Sequence, residues 1–380
     1  MTCVIFAFLE LRVNYRLTND FLYKNFVSFN ALNRLSSSYY MKGVSIKDIA
    51  KQAGVSPTTV SFVLNGKAKE KRISEQVSKK ILKIASKLKY KPNQLARGLR
   101  TGKTKTIGLI VEDIANLFFA NVAKIVEEEA DKYGYKVLYG STEDNVDKAK
   151  GLMEVLEYRQ VDGYIITPTA QMEKEIEALR HARKPMVLLD RYIPNVPTNY
   201  VMVNNFQGAY DAANHLLNRG YTKIGLVTIA SDQIQMKERI DGFSAAMKAA
   251  NAAFPKKMIK KISFHISKEE SIREIKNFVE SNPQMEGIFF ATNYLGIYGL
   301  EALKEMGVAI GKDLAFISFD DHDLFRLYTP GITCIAQPIH DIARNVIQVL
   351  MNELNNNKKE VNQIILPAQL VVRDSCLLKS

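Results

Sequence analysis

The sequence predicts a small all-α domain followed by a two-lobed α/β body, and three observations carry that prediction. At 380 residues the chain is too long for one ordinary core. Apolar residues follow helical spacing before residue 90, then switch after residue 105 to short apolar runs alternating with amphipathic stretches. That second pattern restarts at Thr222, where Thr222-Lys223-Ile224-Gly225-Leu226-Val227 echoes Thr106-Ile107-Gly108-Leu109-Ile110-Val111.

With 47% apolar and 24% charged residues the chain has the balance of a soluble globular protein. The apolar run at 4–9 ends at Glu10, too short to span a bilayer. No basic segment precedes it and no small-residue cleavage site follows, which speaks against a secretory signal and for a cytoplasmic protein. Residues 1–40 show no clear periodicity. They read either as an upstream extension, with Met41 the natural start, or as a poorly ordered arm. Cys3, Cys334 and Cys376 are odd in number and lack ligand spacing, so free thiols in a reducing compartment are expected. The five histidines are scattered, and neither a metal nor a cofactor is expected.

Ser45-Ile46-Lys47-Asp48 opens the first helix as a capping box, with Asp in the place of the usual Glu. Ile46, Ile49, Ala50 and Ala53 share one face, and Gly54 ends the helix. Ser56 caps a second helix and Pro57 takes its first position. Val60, Val63 and Leu64 form its buried stripe, and Asn65-Gly66 ends it. A third helix follows the Ser74 cap and buries Val77, Ile81, Ile84, Ala85 and Leu88. Two short helices joined by a glycine turn form a helix-turn-helix. Pro57, Thr58, Ser61 and Phe62 are left on the outer face of the second helix. Residues 41–104 hold 16 Lys and Arg against 3 acids, whereas 105–380 hold 32 against 35. A net +13 concentrated on the helical segment is the footprint of a polyanion-binding module.

Val44-Ser45-Ile46-Lys47-Asp48-Ile49-Ala50, Ala53-Gly54-Val55-Ser56-Pro57-Thr58-Thr59-Val60-Ser61, Val63-Leu64-Asn65 and Tyr90-Lys91-Pro92-Asn93-Gln94-Leu95-Ala96-Arg97-Gly98-Leu99 resemble the N-terminal signature of the lac/galactose-repressor family. The resemblance runs from about Met41 to the C-terminus. It implies a transcription regulator, most often a repressor, that binds palindromic double-stranded operator DNA as a homodimer. Its DNA-contacting residues would be Ser45, Ser56, Pro57, Thr58, Thr59, Ser61, Phe62, Asn65, Asn93, Arg97, Leu99 and Arg100. Residues 92–99 resemble the family's hinge helix, and Leu99 would wedge into the minor groove at a deformable central step. Many relatives carry Arg where this chain has Phe62. Phe cannot make the bidentate contact to guanine, so the resemblance does not fix the operator sequence at that position.

In the body, residues 106–111, 136–139, 163–166 and 185–189 read as buried strands, with helices near 119–133, 145–158 and 171–182. After the restart, 222–227, 287–291 and 314–319 read as strands, and strand–helix alternation implies parallel sheets. The resemblance adds a likeness to periplasmic sugar-binding proteins of type I, with crossings between the lobes near 201–204, 334–337 and 366–369. It implies a helix-turn-helix domain over 41–89, a hinge over 90–104 and an effector-binding, dimerising domain over 105–380. Lobe 1 would take 105–203 and 337–366, and lobe 2 would take 204–334 and 369–380. The effector residues it implies are Asn116, Phe119, Asp190, Arg191, Arg239, Asn293, Asp320 and Gln337, with Asp321 bordering the same cleft. These types suit a sugar or sugar acid: forks and amides for hydroxyl pairs, and an aromatic wall for the ring. The amide of Asn293, where relatives commonly have Asp, would repel an acidic sugar less. Two other classes compete. A soluble sugar-binding protein without a DNA role leaves the basic segment unexplained. An enzyme using Asp320-Asp321 lacks any accompanying nucleophile, phosphate loop or metal cluster.

Overall fold

The computed structural model describes residues 44–90, 102–252, 254–355 and 361–379. The expected extension over 1–40, together with Asn93, Arg97, Leu99 and Arg100, lies outside them. Two compact units divide between Asn93 and Gln94.

The first unit holds helices α1 (Ile46–Ala53), α2 (Pro57–Leu64) and α3 (Glu75–Lys87). Ser45 Oγ accepts the Asp48 N–H at 3.3 Å, and the Asp48 carboxylate accepts the Ser45 N–H at 2.8 Å. The shorter acid therefore closes the capping box fully. Gly54 ends α1 at φ +69°, the left-handed region that favours glycine. Ser56 Oγ accepts the Thr59 N–H at 3.1 Å, with Pro57 at the first position of α2. Ile49, Ala50, Ala53, Val60, Val63, Ile81 and Ala85 make the core, with Val77, Ile84 and Leu88 packed at its edge. Fully burying Ile49, Val60 and Ile81 contributes about 1.5–3 kcal/mol each, which fastens three short helices that would be marginal alone.

The second unit repeats one strand–helix arrangement. Its first half runs β1 (Thr106–Val111), α4 (Leu117–Lys132), β2 (Lys136–Ser141), α5 (Val146–Tyr158), β3 (Gly163–Ile166), α6 (Glu173–His181), β4 (Met186–Leu189) and β5 (Tyr200–Val203). The chain then crosses to α7 (Asn205–Asn218), β6 (Ile224–Ile229), α8 (Ile234–Ala249), β7 (Ile259–Ile262), α9 (Lys268–Glu280), β8 (Gly287–Phe290), α10 (Asn293–Glu305), β9 (Ala315–Phe319), α11 (Asp323–Leu327) and β10 (Thr333–Ala336). Helix α12 (Ile339–Asn355) and β11 (Gln363–Leu366) return to the first sheet, and β12 (Gln369–Val371) ends in the second. The sheet orders are β11-β5-β4-β3-β1-β2 and β12-β10-β9-β8-β6-β7. All neighbouring pairs are parallel except β12, which lies antiparallel on β10 and qualifies the expectation of purely parallel sheets.

The two halves also share a device at their entrances. The Asp162 carboxylate, just before β3, accepts the Thr104 and Lys105 N–H groups at 2.7 and 3.0 Å. The Glu286 carboxylate, just before β8, accepts those of Thr222 and Lys223 at 2.9 and 3.2 Å. Each acid pins the chain where it enters the first strand of its lobe. Cys334 and Cys376 are buried free thiols. Among the described residues no helix is long and apolar enough to cross a membrane, and no His/Cys/Asp/Glu group is placed to hold a metal.

Candidate functional site

On the helical unit, Thr58, Ser61, Phe62 and Asn65 fall on one face of α2 because they stand three or four residues apart. Val60 and Val63 turn the opposite face into the core. Pro57 and Thr58 are exposed, but Thr59, Ser61 and Phe62 are half-buried, so the outer face is less free than the sequence suggests. Lys71 Nζ stands 5.6 Å from the centre of the Phe62 ring, within cation–π range. Asn65 Nδ2 donates to the Ser61 carbonyl at 2.7 Å, so this amide caps the helix end as well as facing outward. Ser45 stands apart from these residues, at the start of α1. Among the described cations, Lys47, Lys51, Lys67, Lys69 and Lys71 are exposed.

In the second unit, the ends of the parallel strands converge on the cleft between the lobes, where open α/β sheets place their ligands. Asp190 and Arg191 follow β4, Asn293 begins α10 after β8, Asp320 follows β9 and Gln337 follows β10. Asn116 caps α4, and Phe119 stands on its first turn. Arg239 comes from α8. Asn116, Phe119, Asp190, Arg191, Arg239, Asn293, Asp320 and Gln337 all line one inner chamber.

The chamber is electrostatically built. Arg191 Nη2 donates to Glu112 at 2.6 Å and its Nε to Asp190 at 3.1 Å, and the residue is 4% exposed. Burial pushes the Glu112 carboxyl up against the pull of Arg191. Arg239 Nε donates to Asn205 at 2.9 Å and Nη1 to the Ala291 carbonyl at 2.5 Å, and its guanidinium lies 3.6 Å from the centre of the Phe319 ring. Burial draws its pKa down, although the Asp320 and Asp190 charges oppose this. Gln337 Nε2 donates to Asp320 at 2.6 Å, and burial raises the Asp320 carboxyl. Arg191 Nη1 and Gln235 Oε1 are buried without a hydrogen-bond partner. Both residues line the chamber, where a ligand or water can supply the missing partner.

One expectation changes. Asp321 does not border the chamber: its carboxylate pairs with Arg373 at 2.7 and 3.0 Å, because successive residues leave a strand on opposite sides. Asn293 lines the chamber with both arginines, and its Nδ2 donates to Asn116 Oδ1 at 3.0 Å across the cleft.

Sequence reasoning missed Glu112, Asn205, Gln233, Gln235 and Phe319. Glu112 was findable, since it directly follows the first strand. Asn205 and the two glutamines carry no comparable signal. Among the described residues the Asn116–Asn293 amide pair joins the lobes across the cleft, as does Gln233 Nε2 donating to Asp144 at 2.6 Å. They leave an inner chamber of about 40 Å³.

Comparison with known proteins places both units. A model of bacterial regulatory proteins of the lacI family matches residues 45–93, and one of a periplasmic binding protein-like domain matches 213–376. The ribose operon repressor of Halalkalibacterium halodurans is 31% identical over 332 residues, covering 87% of this chain and 96% of that protein. The HTH-type transcriptional regulator DegA of Bacillus subtilis is 31% identical over 334 residues, covering 87% and 97%. The lac repressor dimer bound to operator and the anti-inducer ONPF shares the fold at a TM-score of 0.78 and 22% identity, over 88% of this chain and 100% of that one. A lacI-family regulator from Enterococcus faecium with bound ribose matches at a TM-score of 0.64 and 26% identity, over 72% and 100%. With its helix-turn-helix and its ligand-binding body both matched, this chain belongs to the lacI family of bacterial regulatory proteins and is a DNA-binding transcription regulator.

Proposed function

We propose that the protein is a cytoplasmic repressor that grips a palindromic operator as a homodimer and answers to a neutral, sugar-like effector held between its lobes. Ser56, Pro57, Thr58, Thr59, Ser61, Phe62 and Asn65 read the major groove from α2, with Ser45 on phosphate. Asn93, Arg97, Leu99 and Arg100 act from the hinge, as the family resemblance implies. The exposed lysines supply the salt-dependent attraction.

In the cleft, the forks of Arg191 and Arg239 hold paired hydroxyls, while Asp190 and Asp320 accept from them. Asn116, Asn293 and Gln337 fix orientation, and Phe119 gives the apolar wall. The chamber sets the carboxyl groups of Glu112, Asp190 and Asp320 against two arginines, so a carboxylate on the ligand would meet cations that already have acidic neighbours, which favours a neutral sugar. No catalytic step is assigned to it.

The observation that carries this reading is the union, in one chain, of a +13 helical segment with a cleft that buries two guanidinium groups at strand ends. The dimer face we assign is the edge strand β2 with α5, where Tyr139, Val155 and Tyr158 are 44%, 55% and 84% exposed.

Ligand pockets ordinarily enclose about 300–1,000 Å³, so a sugar enters this chamber only by parting the contacts that join the lobes. Binding is thereby tied to lobe geometry. Selection of binding sites from random DNA, repeated with neutral and acidic sugars, tests the reading. The expected outcome is enrichment of a palindrome whose retention changes with a neutral sugar. Failure to enrich any sequence would refute the DNA role.

A further inference from the structure

A second cavity, of about 380 Å³, opens on one flank of the same cleft. It shares a wall with the inner chamber, made by Glu112, Asn116, Asn293 and Tyr294. Beyond that wall the rings of Phe264 and Tyr298 stand among aliphatic and polar side chains, and Tyr294 of the wall links them. Phe264 and Tyr294 meet edge to face at 6.4 Å between ring centres, and Tyr294 and Tyr298 stand 5.8 Å apart.

Outside the shared wall its polar side chains are Asp113, Ser263, Ser271, Tyr298 and His322. Asp113 uses Oδ1 to accept the Ala115 N–H at 2.8 Å, which leaves Oδ2 to accept another hydrogen bond. His322 uses Nδ1 to accept the Leu324 N–H at 3.0 Å, so its Nε2 carries the proton and can donate. Aromatic faces with acceptors and donors at the edge suit a pyranose ring, whose C–H face is apolar and whose hydroxyls radiate from its rim.

The two compartments differ in a way that divides the work. The inner one is charged, carries the orphan Arg191 Nη1 and Gln235 Oε1, and is too small to hold a whole ligand. The outer one has the volume of a ligand pocket but no buried charge beyond the shared wall. A single ring gripped by the arginines would leave the outer cavity empty. We propose that the effector has at least two rings, a disaccharide or other glycoside. One ring is held by Arg191 and Arg239, and the other lies against Tyr298 and Phe264. The glycosidic link passes between Asn116 and Asn293, whose amide pair must open for it. This inference rests on the reading of the cleft as a sugar site, and it names the class of sugar.

Calorimetry on the full chain separates the two claims. The probes are glucose, galactose and ribose beside cellobiose, maltose and lactose. At least one disaccharide is expected to bind about ten-fold or more tightly than either of its component sugars. In Tyr298→Ala that advantage should fall below about three-fold, while Tyr298→Phe, which keeps the ring, should retain it. Thermal melting of both variants checks that they fold, and Asp113→Asn probes the rim if Tyr298→Ala does not. Monosaccharide binding without any disaccharide advantage would overturn the two-ring proposal and leave the sugar site standing. Binding of no sugar at all would remove both.

Discussion

Two aspartates in left-handed backbone mark corresponding places in the two lobes: Asp190 at φ +70° after β4, and Asp320 at φ +67° after β9. Asp tolerates this region better than most residues but still at a cost, and such strain persists where surrounding structure demands it. Here the bend turns each carboxylate back over the strand ends and into the cleft. The Arg191 guanidinium between Asp190 and Glu112 then depends on both acids, since removing one partner of a buried ion pair leaves uncompensated charge. Glu112→Ala should destabilise the protein by about 3–5 kcal/mol, and Glu112→Gln by less, because the amide keeps an acceptor. Urea denaturation measures both, and a loss under about 1 kcal/mol in the alanine variant would contradict the buried pair. Gly242 is equally exacting for a steric reason. A Cβ there would stand 2.0 Å from the Phe206 carbonyl, so α8 meets the start of α7 backbone to backbone. Gly242→Ala should therefore cost about 1–3 kcal/mol in a melting experiment. Effector binding should weaken as well, because Arg239 sits one turn earlier and reaches Asn205 on α7. An unchanged melt would mean the helices can separate freely. Of this set only Asp190, Arg191, Arg239 and Asp320 were legible in the sequence, through resemblance. The Glu112 partnership and the helix contact at Gly242 arise from distant segments meeting, which no local pattern encodes.

The elements that read best from sequence are those buried on both faces. Strands β1, β3, β6, β8 and β9 appear as short, mainly apolar runs, and their expected spans lie within a few residues of the observed ones. Strand β7 escaped because its sequence is Ile-Lys-Lys-Ile, with the lysines on an edge strand where charge is tolerated. The antiparallel β12 escaped because pairing direction follows from the last crossing between lobes rather than from periodicity. The carboxylate that pins each lobe's first strand was also invisible, yet it makes a pH-dependent contribution that can be measured. Burial pushes the Glu286 carboxyl up, but hydrogen bonds from Lys379, Thr222 and Lys223 outweigh this and hold it at about 2. A carboxylate depressed on folding stabilises the native state above its unfolded pKa, and that contribution disappears as pH falls through its folded pKa. Stability should thus drop between about pH 4.5 and 2 in the native chain, and Glu286→Gln should lose about 2 kcal/mol at neutral pH while flattening that drop. Melting curves across this range decide. Parallel acid profiles for the two proteins would show that the clamp is not the titrating group.

At the scale of the whole molecule, the cleft matters only through what it does to the relation between its lobes. An effector changes DNA affinity only to the extent that it binds one lobe arrangement better than another. Here the closed arrangement is fastened by the Asn116–Asn293 pair and by Gln233 donating to Asp144, and the chamber inside it is about 40 Å³. On the proposed reading of the cleft the effector-bound arrangement is more open, so each fastening bond opposes binding. Asp144 reaches across from a turn in which Glu143 and Asp144 are both left-handed, at φ +51° and +52°. Glycine accepts that backbone without strain, so Asp144→Gly removes the carboxylate with little disturbance of the turn, and Asp144 does not line the chamber. Losing one such hydrogen bond is worth about 1 kcal/mol, which shifts the balance of arrangements about five-fold. Effector affinity in Asp144→Gly should therefore rise by up to about five-fold, since less of the binding free energy is used to part the lobes. Linkage requires more. Whatever factor the effector imposes on operator affinity, operator must impose the same factor on effector affinity. Titrating the effector with and without operator, in the native protein and in Asp144→Gly, measures both quantities in one design. The variant also removes a charge felt by Arg191 and Glu112 in the effector site, but operator affinity without effector depends on the balance alone and should move by no more than about the same five-fold. An effector affinity unmoved by Asp144→Gly would show that the bond to Gln233 does not hold the lobes together, and the switch would have to be sought elsewhere than in cleft opening.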